Sequence, residues 1–347
     1  MKIYPKCEHI EVSMITSSLF GIFPSQFMFQ SNATLQKYYK IYAYVIAAYF
    51  SALITTQYME LYVIIEKYGM KMDAISANLT LTLLYTIVDI RQFIIKFNPR
   101  FRNLIGSMIK QEALILGSKD NAIISIYKNY AKATRKRSML YVSVIAFIAM
   151  QYFLRPLFLQ IKYQVGNETI SVKSLPLSTW IPFDIQAHYL SAYLWQLVFG
   201  LIGASSIMCT DIFMYNLISY PCGQLQIMHY ILKNFEQYQD KCKRLSGISS
   251  EELAGCMTFY MIIEEHKKII QFVNDFNSTL SMSMVFDFLQ SSLQIASVIS
   301  QIIGNPLTYD LFLFVFSSFS GMLLRLILYY YYANDVILLV ILSKFSL

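Results

Sequence analysis

Five charged side chains lie inside long apolar runs of this sequence: Asp89, Arg91, Asp211, Asp287 and Arg325. A charge inside such a run is costly to bury, so it usually faces protein or water and pairs with an opposite charge. Asp211 and Arg325 both fall toward the cytoplasmic ends of their runs, which predicts a buried ion pair between them. As the alternative, Arg325 extends its guanidinium to the inner lipid headgroups.

Patterns typical of catalytic or metal-binding sites are absent from the sequence. It has no Walker loop, no Rossmann glycine fingerprint and no HExxH helix. The four histidines are scattered along the chain, and the five cysteines have no paired spacing. We therefore expect no enzyme activity, no cofactor, no metal site and no disulfide framework.

The composition is that of a membrane protein. Of the 347 residues, 56% are hydrophobic and 14% are charged, whereas a soluble domain carries about 25% charged residues. The net charge of +7 comes from basic residues between the apolar runs. Loops beside a membrane explain that distribution better than a nucleic-acid surface does. We predict one membrane domain covering 1–347 and no nucleic-acid partner.

Six apolar segments approach or exceed the roughly 20 residues with which a helix crosses a bilayer. The predicted fold class is therefore an all-α integral membrane protein with six transmembrane helices. The predicted spans are about 41–65, 74–95, 138–160, 187–218, 280–303 and 308–333.

The positions of Lys and Arg predict a cytoplasmic N-terminus, because cytoplasmic loops carry the excess of basic residues. Segments 1–40, 96–137 and 219–279 contain 4, 10 and 6 of them, whereas 63–73, 161–186 and 304–308 contain 2, 2 and none. We therefore predict cytoplasmic loops at 96–137 and 219–279 and an outer loop at 161–186. A glycosylation sequon at Asn167 fits the outer loop, although the sequon at Asn32 falls on the predicted inner side.

Four segments together resemble the insect odorant receptor family, the inverted seven-span olfactory receptors, over about residues 15–337. They are SLPLSTWIPFDIQAHYLSAYLWQ (174–196), CGQLQIMHYIL (222–232), EEHKKIIQFVNDFNSTLS (264–281) and LLRLILYYYYANDVI (323–337). Gustatory-type receptors share the topology, but the Trp-x-Pro-Phe-Asp sequence of the outer loop favours the odorant branch.

The resemblance implies the tuning subunit of a ligand-gated, non-selective cation channel. It further implies assembly with a co-receptor as a heterotetramer, in which 219–279 forms part of the subunit contact. The expected location is the plasma membrane of the olfactory neuron dendrite. The family has seven spans, the last lining the pore, whereas LLVILSKFSL (338–347) follows the sixth span here. We therefore expect a product truncated before the seventh span, with a non-conducting receptor as an alternative.

The family's ligand pocket lies in the outer halves of the spans. Small apolar odorants require an apolar cavity with few polar groups. We predict that the pocket is lined by Ser76, Leu79, Thr80, Leu83, Phe147, Met150, Gln151, Phe153, His188, Tyr189, Ala192, Tyr193, Gln196, Gln294, Ser297, Phe312 and Phe316.

Two further classes of membrane protein fit the sequence less well. A G-protein-coupled receptor has its N-terminus outside the cell, which the loop charges oppose. A small transporter often shows paired repeats with broken spans at matching positions, and the sequence contains no such repeat.

Overall fold

Long apolar segments become long helices in the computed structural model, which describes residues 3–68, 72–158, 160–165, 168–173, 175–247, 250–304 and 309–345. Within these ranges the chain is almost entirely helical. The helices are α1 (Glu11–Leu19), α2 (Ala33–Tyr68), α3 (Met72–Phe97), α4 (Pro99–Gly117), α5 (Asn121–Phe158), α6 (Tyr189–Lys233), α7 (Phe235–Ser246), α8 (Glu251–Gly304) and α9 (Tyr309–Phe345), with a 3-10 turn at Ser25–Phe27.

Local sequence signals set several of the helix boundaries. Asn98 separates α3 from α4, and its side chain accepts a hydrogen bond from the Arg100 amide at 2.9 Å. Pro99 occupies the first position of α4, where a missing N–H costs nothing. Helix α7 ends at Ser246 and is followed by Gly247, whose φ of 68° is left-handed and suits a residue without Cβ.

Four helices in the described part of the chain are long and apolar enough to cross a membrane: Asn78–Phe97, Asn121–Phe158, Tyr189–Lys233 and Glu251–Ser300. They overlap the predicted second to fifth spans. The predicted first span lies within α2, and α9 covers the described part of the predicted sixth span. The helical membrane fold is therefore confirmed, while the count of six spans and their orientation remain predictions. Residues 338–345 extend α9 rather than forming a separate element.

The predicted outer loop contains a β-hairpin that the sequence analysis missed. Strand β1 (Gln160–Val165) pairs antiparallel with β2 (Glu168–Lys173), from Gln160 opposite Lys173 to Val165 opposite Glu168. The segment QIKYQV alternates polar with β-branched and aromatic residues, a pattern that favours strands. The sequon residue Asn167 lies outside the described residues.

Helix α6 forms the centre of the bundle. Its residues 209–225 are all buried, including polar side chains such as Asp211 and Asn216. A helix that is buried on every face must be surrounded by other elements, and α6 packs against α1, α3, α5, α8 and α9. Helix α6 thus joins helices from both halves of the chain.

The N-terminal segment docks beneath the bundle through buried polar groups. Glu112 of α4 accepts hydrogen bonds from the Cys7 thiol at 3.1 Å and the Glu8 amide at 2.6 Å, and from the Tyr127 hydroxyl. His9 Nε2 donates to the carbonyl of Asn216 at 2.9 Å. These contacts hold the residues just before α1 against α4 and against α6, about one and a half turns beyond Asp211.

Docking of His9 predicts a loss of stability in acid. Burial lowers the pKa of His9 from 6.5 to about 4, against the opposing effects of the Asn216 carbonyl and Glu112. The unfolded chain therefore binds a proton at higher pH than the folded chain does. The contribution of His9 is complete above pH 6.5 and is lost as pH falls toward 4, amounting to about 3 kcal/mol.

Thermal unfolding of the purified protein in lipid nanodiscs at pH 7.5, 5.5 and 4.5 measures this effect. His9→Gln should flatten the pH dependence, whereas the control His229→Gln, on an exposed residue of α6, should retain it. Equal pH dependence of wild type and His9→Gln would show that other groups control acid stability.

Candidate functional site

A narrow cavity of about 170 Å³ lies among α3, α5, α6, α8 and α9. Each helix contributes one stripe of residues at intervals of three or four, the spacing of a single helix face. The three longest stripes are Tyr141, Ile145, Ile148 and Tyr152 of α5; Gly200, Ala204, Ile207 and Asp211 of α6; and Val315, Ser318, Met322 and Arg325 of α9.

The cavity runs parallel to the helices. From Gly200 to Asp211 the α6 stripe covers three turns, or about 16 Å at 1.5 Å per residue. Most of its wall is aliphatic or aromatic, whereas Tyr141, Asp211 and Arg325 lie together at the inner end. The site is therefore a long apolar slot with a polar, charged end.

Two glycines permit the helices around the cavity to approach closely. A Cβ at Gly200 would collide with the ring of Phe153, and a Cβ at Gly321 would collide with the Ile148 side chain. Because Gly200 and Gly321 both line the cavity, larger residues at either position would push neighbouring side chains into it.

One end of the cavity lies beside Leu177. We call it the outer end, because it adjoins the predicted outer loop, and we call residues 177–180 the strap. Gln196 of α6 accepts a hydrogen bond from the Leu177 amide and donates to the Leu177 carbonyl and the Thr179 hydroxyl, each at 2.8 Å. Asn78 of α3 donates to the Ser178 carbonyl at 3.1 Å. The strap is thereby tied to α3 and α6, and Leu177 contributes to the cavity lining.

Replacement of Gln196 by Met should loosen the strap, because three buried groups would lose their partners. Each such loss costs roughly 1–3 kcal/mol. We expect amide hydrogen exchange in 175–188 to accelerate by about tenfold or more. The matched control is Gln186→Met, because Gln186 lies in the same region but is exposed. Unchanged exchange in Gln196→Met would contradict the assigned role.

The inner end of the cavity borders a buried cluster of four charges, which we call the ion network: Arg91, Asp211, Asp287 and Arg325. Arg91 Nη1 lies 2.5 Å from Asp211 Oδ1, and Arg91 Nη2 contacts Asp287. Arg325 Nη2 lies 2.6 Å from Asp287 Oδ1, and its Nε lies 3.4 Å from Asp211 Oδ2. Each arginine thus bridges both aspartates.

Hydroxyl groups complete the ion network. Tyr141 and Tyr329 donate to Asp211 at 2.6 and 3.0 Å, and Arg91 Nε donates to Ser283 at 3.0 Å. Two cations and two anions leave the network without net charge, and the hydrogen bonds offset part of the cost of removing the charges from water. The network links α3, α5, α6, α8 and α9, the same helices that line the cavity.

The structure brings some of the predicted site residues together and separates others. Thr80, Phe153, Gln294 and Ser297 line the cavity. Ala192, Tyr193 and Gln196 are buried near its outer end, where the Tyr193 hydroxyl donates to the Phe153 carbonyl at 2.8 Å. Phe147, Met150, His188, Phe312 and Phe316 lie on the exposed surface, and Ser76, Leu79, Leu83, Gln151 and Tyr189 are half-buried outside the lining.

Several residues of the site were missed by sequence reasoning. Tyr141, Tyr152, Gly200, Ser318 and Gly321 line the cavity but were not predicted to do so. Small residues at regular spacing within apolar helices were the available signal, since such residues permit close packing in membranes. Arg91 and Asp287 were recognised as charges inside spans, but their partners were not predicted. Asp89, the fifth such charge, instead accepts a hydrogen bond from Ser51 at 3.0 Å.

Two other cavities lie toward the predicted cytoplasmic side. One of about 440 Å³ lies between α4, α6 and α8 and contains Lys110, Glu265, Lys268 and Asp275. Another, of about 420 Å³, lies between α6, α8 and α9 beside Asp287. Neither touches the strap, whereas the slot extends from the strap to the ion network.

Most of the sequence matches the model of a known protein family. A family model described as the 7tm odorant receptor matches residues 71–339, well over half of the 347 residues. The match includes every residue stripe of the slot and all four charges of the ion network. No curated protein matches the chain at a significant level.

Proposed function

This chain belongs to the odorant receptor family, and from that premise we propose that it is the tuning subunit of a ligand-gated, non-selective cation channel. Membership supports a chemosensory receptor in a membrane. We further propose that the ligand is a small volatile molecule of mainly apolar character and that it binds in the slot among α3, α5, α6, α8 and α9.

The observation that carries this proposal is the slot itself. Its apolar walls, its volume of about 170 Å³ and its position beneath the strap suit a small ligand that enters from outside. A ligand that buries about 200 Å² of apolar surface gains about 5 kcal/mol at 25 cal/mol per Å². Part of that gain offsets the freedom that the ligand loses on binding, so shape and any polar contact determine selectivity.

The ion network supports a route from ligand to channel. Asp211 and Arg325 touch the slot and also hold Arg91 and Asp287 of α3 and α8. A ligand that changes their spacing would shift several helices together, since every member of the network has partners on other helices. We propose that this movement gates a channel formed with a co-receptor in the dendritic plasma membrane.

The proposal includes an orientation. We propose that the N-terminus and the segments 96–137 and 219–279 face the cytoplasm, that 219–279 forms part of the co-receptor contact, and that Asn167 is glycosylated outside. The loop charges support this orientation. Staining of terminal tags in unpermeabilised cells tests it, because an exposed N-terminal tag would refute it.

Co-expression with a co-receptor tests the function. Cells that express both chains should carry a cation current in response to members of a panel of volatile molecules. Cells that express the co-receptor alone serve as the control. Surface expression of the complex without a response to any molecule of a broad panel would contradict the proposed function.

A further inference from the structure

We infer that the slot selects neutral, chain-shaped molecules that carry one oxygen acceptor at the end lying against Arg325. This inference rests on the proposed function, since it takes the slot to be the ligand site. It adds the chemical class of the ligand and the orientation in which the ligand binds.

The shape of the slot carries the first step. Its volume of about 170 Å³ is spread over about 16 Å of helix length, from Gly200 to Asp211. A cavity this long and this small in volume has a narrow cross-section. An extended chain therefore suits the slot better than a fused-ring molecule of the same mass.

The uneven polarity of the slot carries the second step. Along its length the walls are formed by side chains such as Leu84, Ile148 and Val298, with single hydroxyls at Ser297 and Ser318. Among the residues that the structure describes, the charged side chains that line the slot are Asp211 and Arg325, both at its inner end. Hydrogen bonds to charged groups are roughly twice as strong as those between neutral groups, so the inner end should dominate the placement of a polar group.

Arg325 supplies the donor. A guanidinium carries five N–H groups, and its contacts with Asp211 and Asp287 use Nε and Nη2. An alcohol or carbonyl oxygen at this end accepts a hydrogen bond from Arg325. A methyl group at this end would remove the N–H groups of Arg325 from water without accepting a hydrogen bond from them, and leaving a buried donor without a partner is unfavourable.

Charge balance excludes ionic ligands. The ion network holds two guanidinium groups and two carboxylates in contact with one another. A carboxylate or ammonium on the ligand would add a buried charge without a counterion, and such charges are strongly disfavoured. The terminal group is therefore a hydroxyl or a carbonyl rather than an acid or an amine.

Binding of five seven-carbon compounds to the full chain in lipid nanodiscs tests the inference: 1-heptanol, heptanal, heptane, heptanoate and heptylamine. Dissociation constants follow from the shift in thermal unfolding with ligand concentration, with empty nanodiscs correcting for partition into lipid. We expect heptanol and heptanal to bind about tenfold more tightly than heptane, and the two ions to bind more weakly than heptanol.

Two variants test whether the preference for heptanol over heptane arises at the inner end of the slot. Arg325→Lys keeps the positive charge but loses the planar group, and it should reduce the preference for heptanol over heptane to about threefold or less. Tyr141→Phe removes the hydroxyl that donates to Asp211, which in turn contacts Arg325 Nε. Because it loosens the position of Arg325, it should also reduce the preference, and it provides a second test if Arg325→Lys does not fold. Tyr62→Phe, on an exposed residue of α2, is the control.

The outcomes separate the inference from the proposed function. Equal binding of heptane and heptanol, or a preference unchanged in both Arg325→Lys and Tyr141→Phe, would overturn the inference and leave the slot as the ligand site. Absence of binding by all five compounds would overturn both the inference and the assignment of the slot.

Discussion

Replacement of Arg91 by Met should lower the free energy of unfolding by about 3–5 kcal/mol, the usual cost of removing one partner from a buried charge pair. Asp211 and Asp287 would then share Arg325 alone, leaving one buried carboxylate without a counterion. Arg91 is fully buried, so water cannot replace the lost contacts without opening the bundle. Thermal unfolding of the purified protein in lipid nanodiscs measures the effect.

The matched control is Arg135→Met. Arg135 also pairs with a carboxylate, Glu11, at 2.8 Å, but its side chain is 56% exposed, and surface pairs contribute about 0–1 kcal/mol. If Arg91→Met and Arg135→Met destabilise the protein equally, the ion network is not a principal source of stability.

A double variant shows whether the network acts as a unit. Arg91→Met combined with Asp287→Asn restores charge balance, and we expect it to be more stable than Arg91→Met alone. Exchanging the charges of Asp211 and Arg325 is a poorer test of the network. Arg91 Nη1 lies 2.5 Å from Asp211 Oδ1, so a positive charge at position 211 would be repelled by Arg91.

Replacement of Ala204 by Phe should abolish ligand binding in the slot, weakening it by at least about a hundredfold. Ala204 lies midway along the α6 stripe, so an aromatic ring there occupies the space in which a ligand would lie. Overpacking itself costs about 1–3 kcal/mol, which a stable receptor tolerates. Binding of 1-heptanol in nanodiscs, together with the yield of folded protein, measures both effects.

Leu201→Phe is the control, because Leu201 is 50% exposed and does not line the slot. It adds the same aromatic group to the same helix without entering the slot. Retention of full binding by a folded Ala204→Phe protein would mean that the ligand lies elsewhere.

The helices of this protein were largely predictable, but the faces they present to one another were not. Apolar runs predicted spans that coincide with α2, α3, α5, α6, α8 and α9. In a bilayer, however, the side of a helix that faces lipid is as apolar as the side that faces protein, so periodicity does not distinguish them. Phe147, Phe312 and Phe316 were predicted to line the pocket because they are aromatic, but their side chains are exposed on the surface of the helix bundle.

Charged residues were a better guide because burial of a charge requires a partner. Asp211 and Arg325 were predicted to pair from their depth alone, and the structure places Arg325 Nε 3.4 Å from Asp211. The closer contact of Asp211 is with Arg91, at 2.5 Å. That contact depends on how α3 packs against α6, which only the tertiary structure reveals.

The outer region was the least predictable part of the site. Gln196 was expected to face the ligand as a polar residue near the outer end of its span, yet its amide binds the strap. Nothing in the sequence indicates that the backbone of Leu177, 19 residues earlier, would supply its partners. The hairpin was missed because its alternating pattern lies in a region rich in Pro and polar residues.

Photocrosslinking is the most direct test of the assignment of the ligand site. A seven-carbon alcohol that carries a diazirine should label residues 141–153 of α5, 200–211 of α6 and 315–325 of α9, and excess 1-heptanol should compete with the labelling. Two results would contradict the account. One is labelling confined to the two cavities toward the predicted cytoplasmic side, both of which Phe272 lines, and the other is labelling of the slot that 1-heptanol does not reduce.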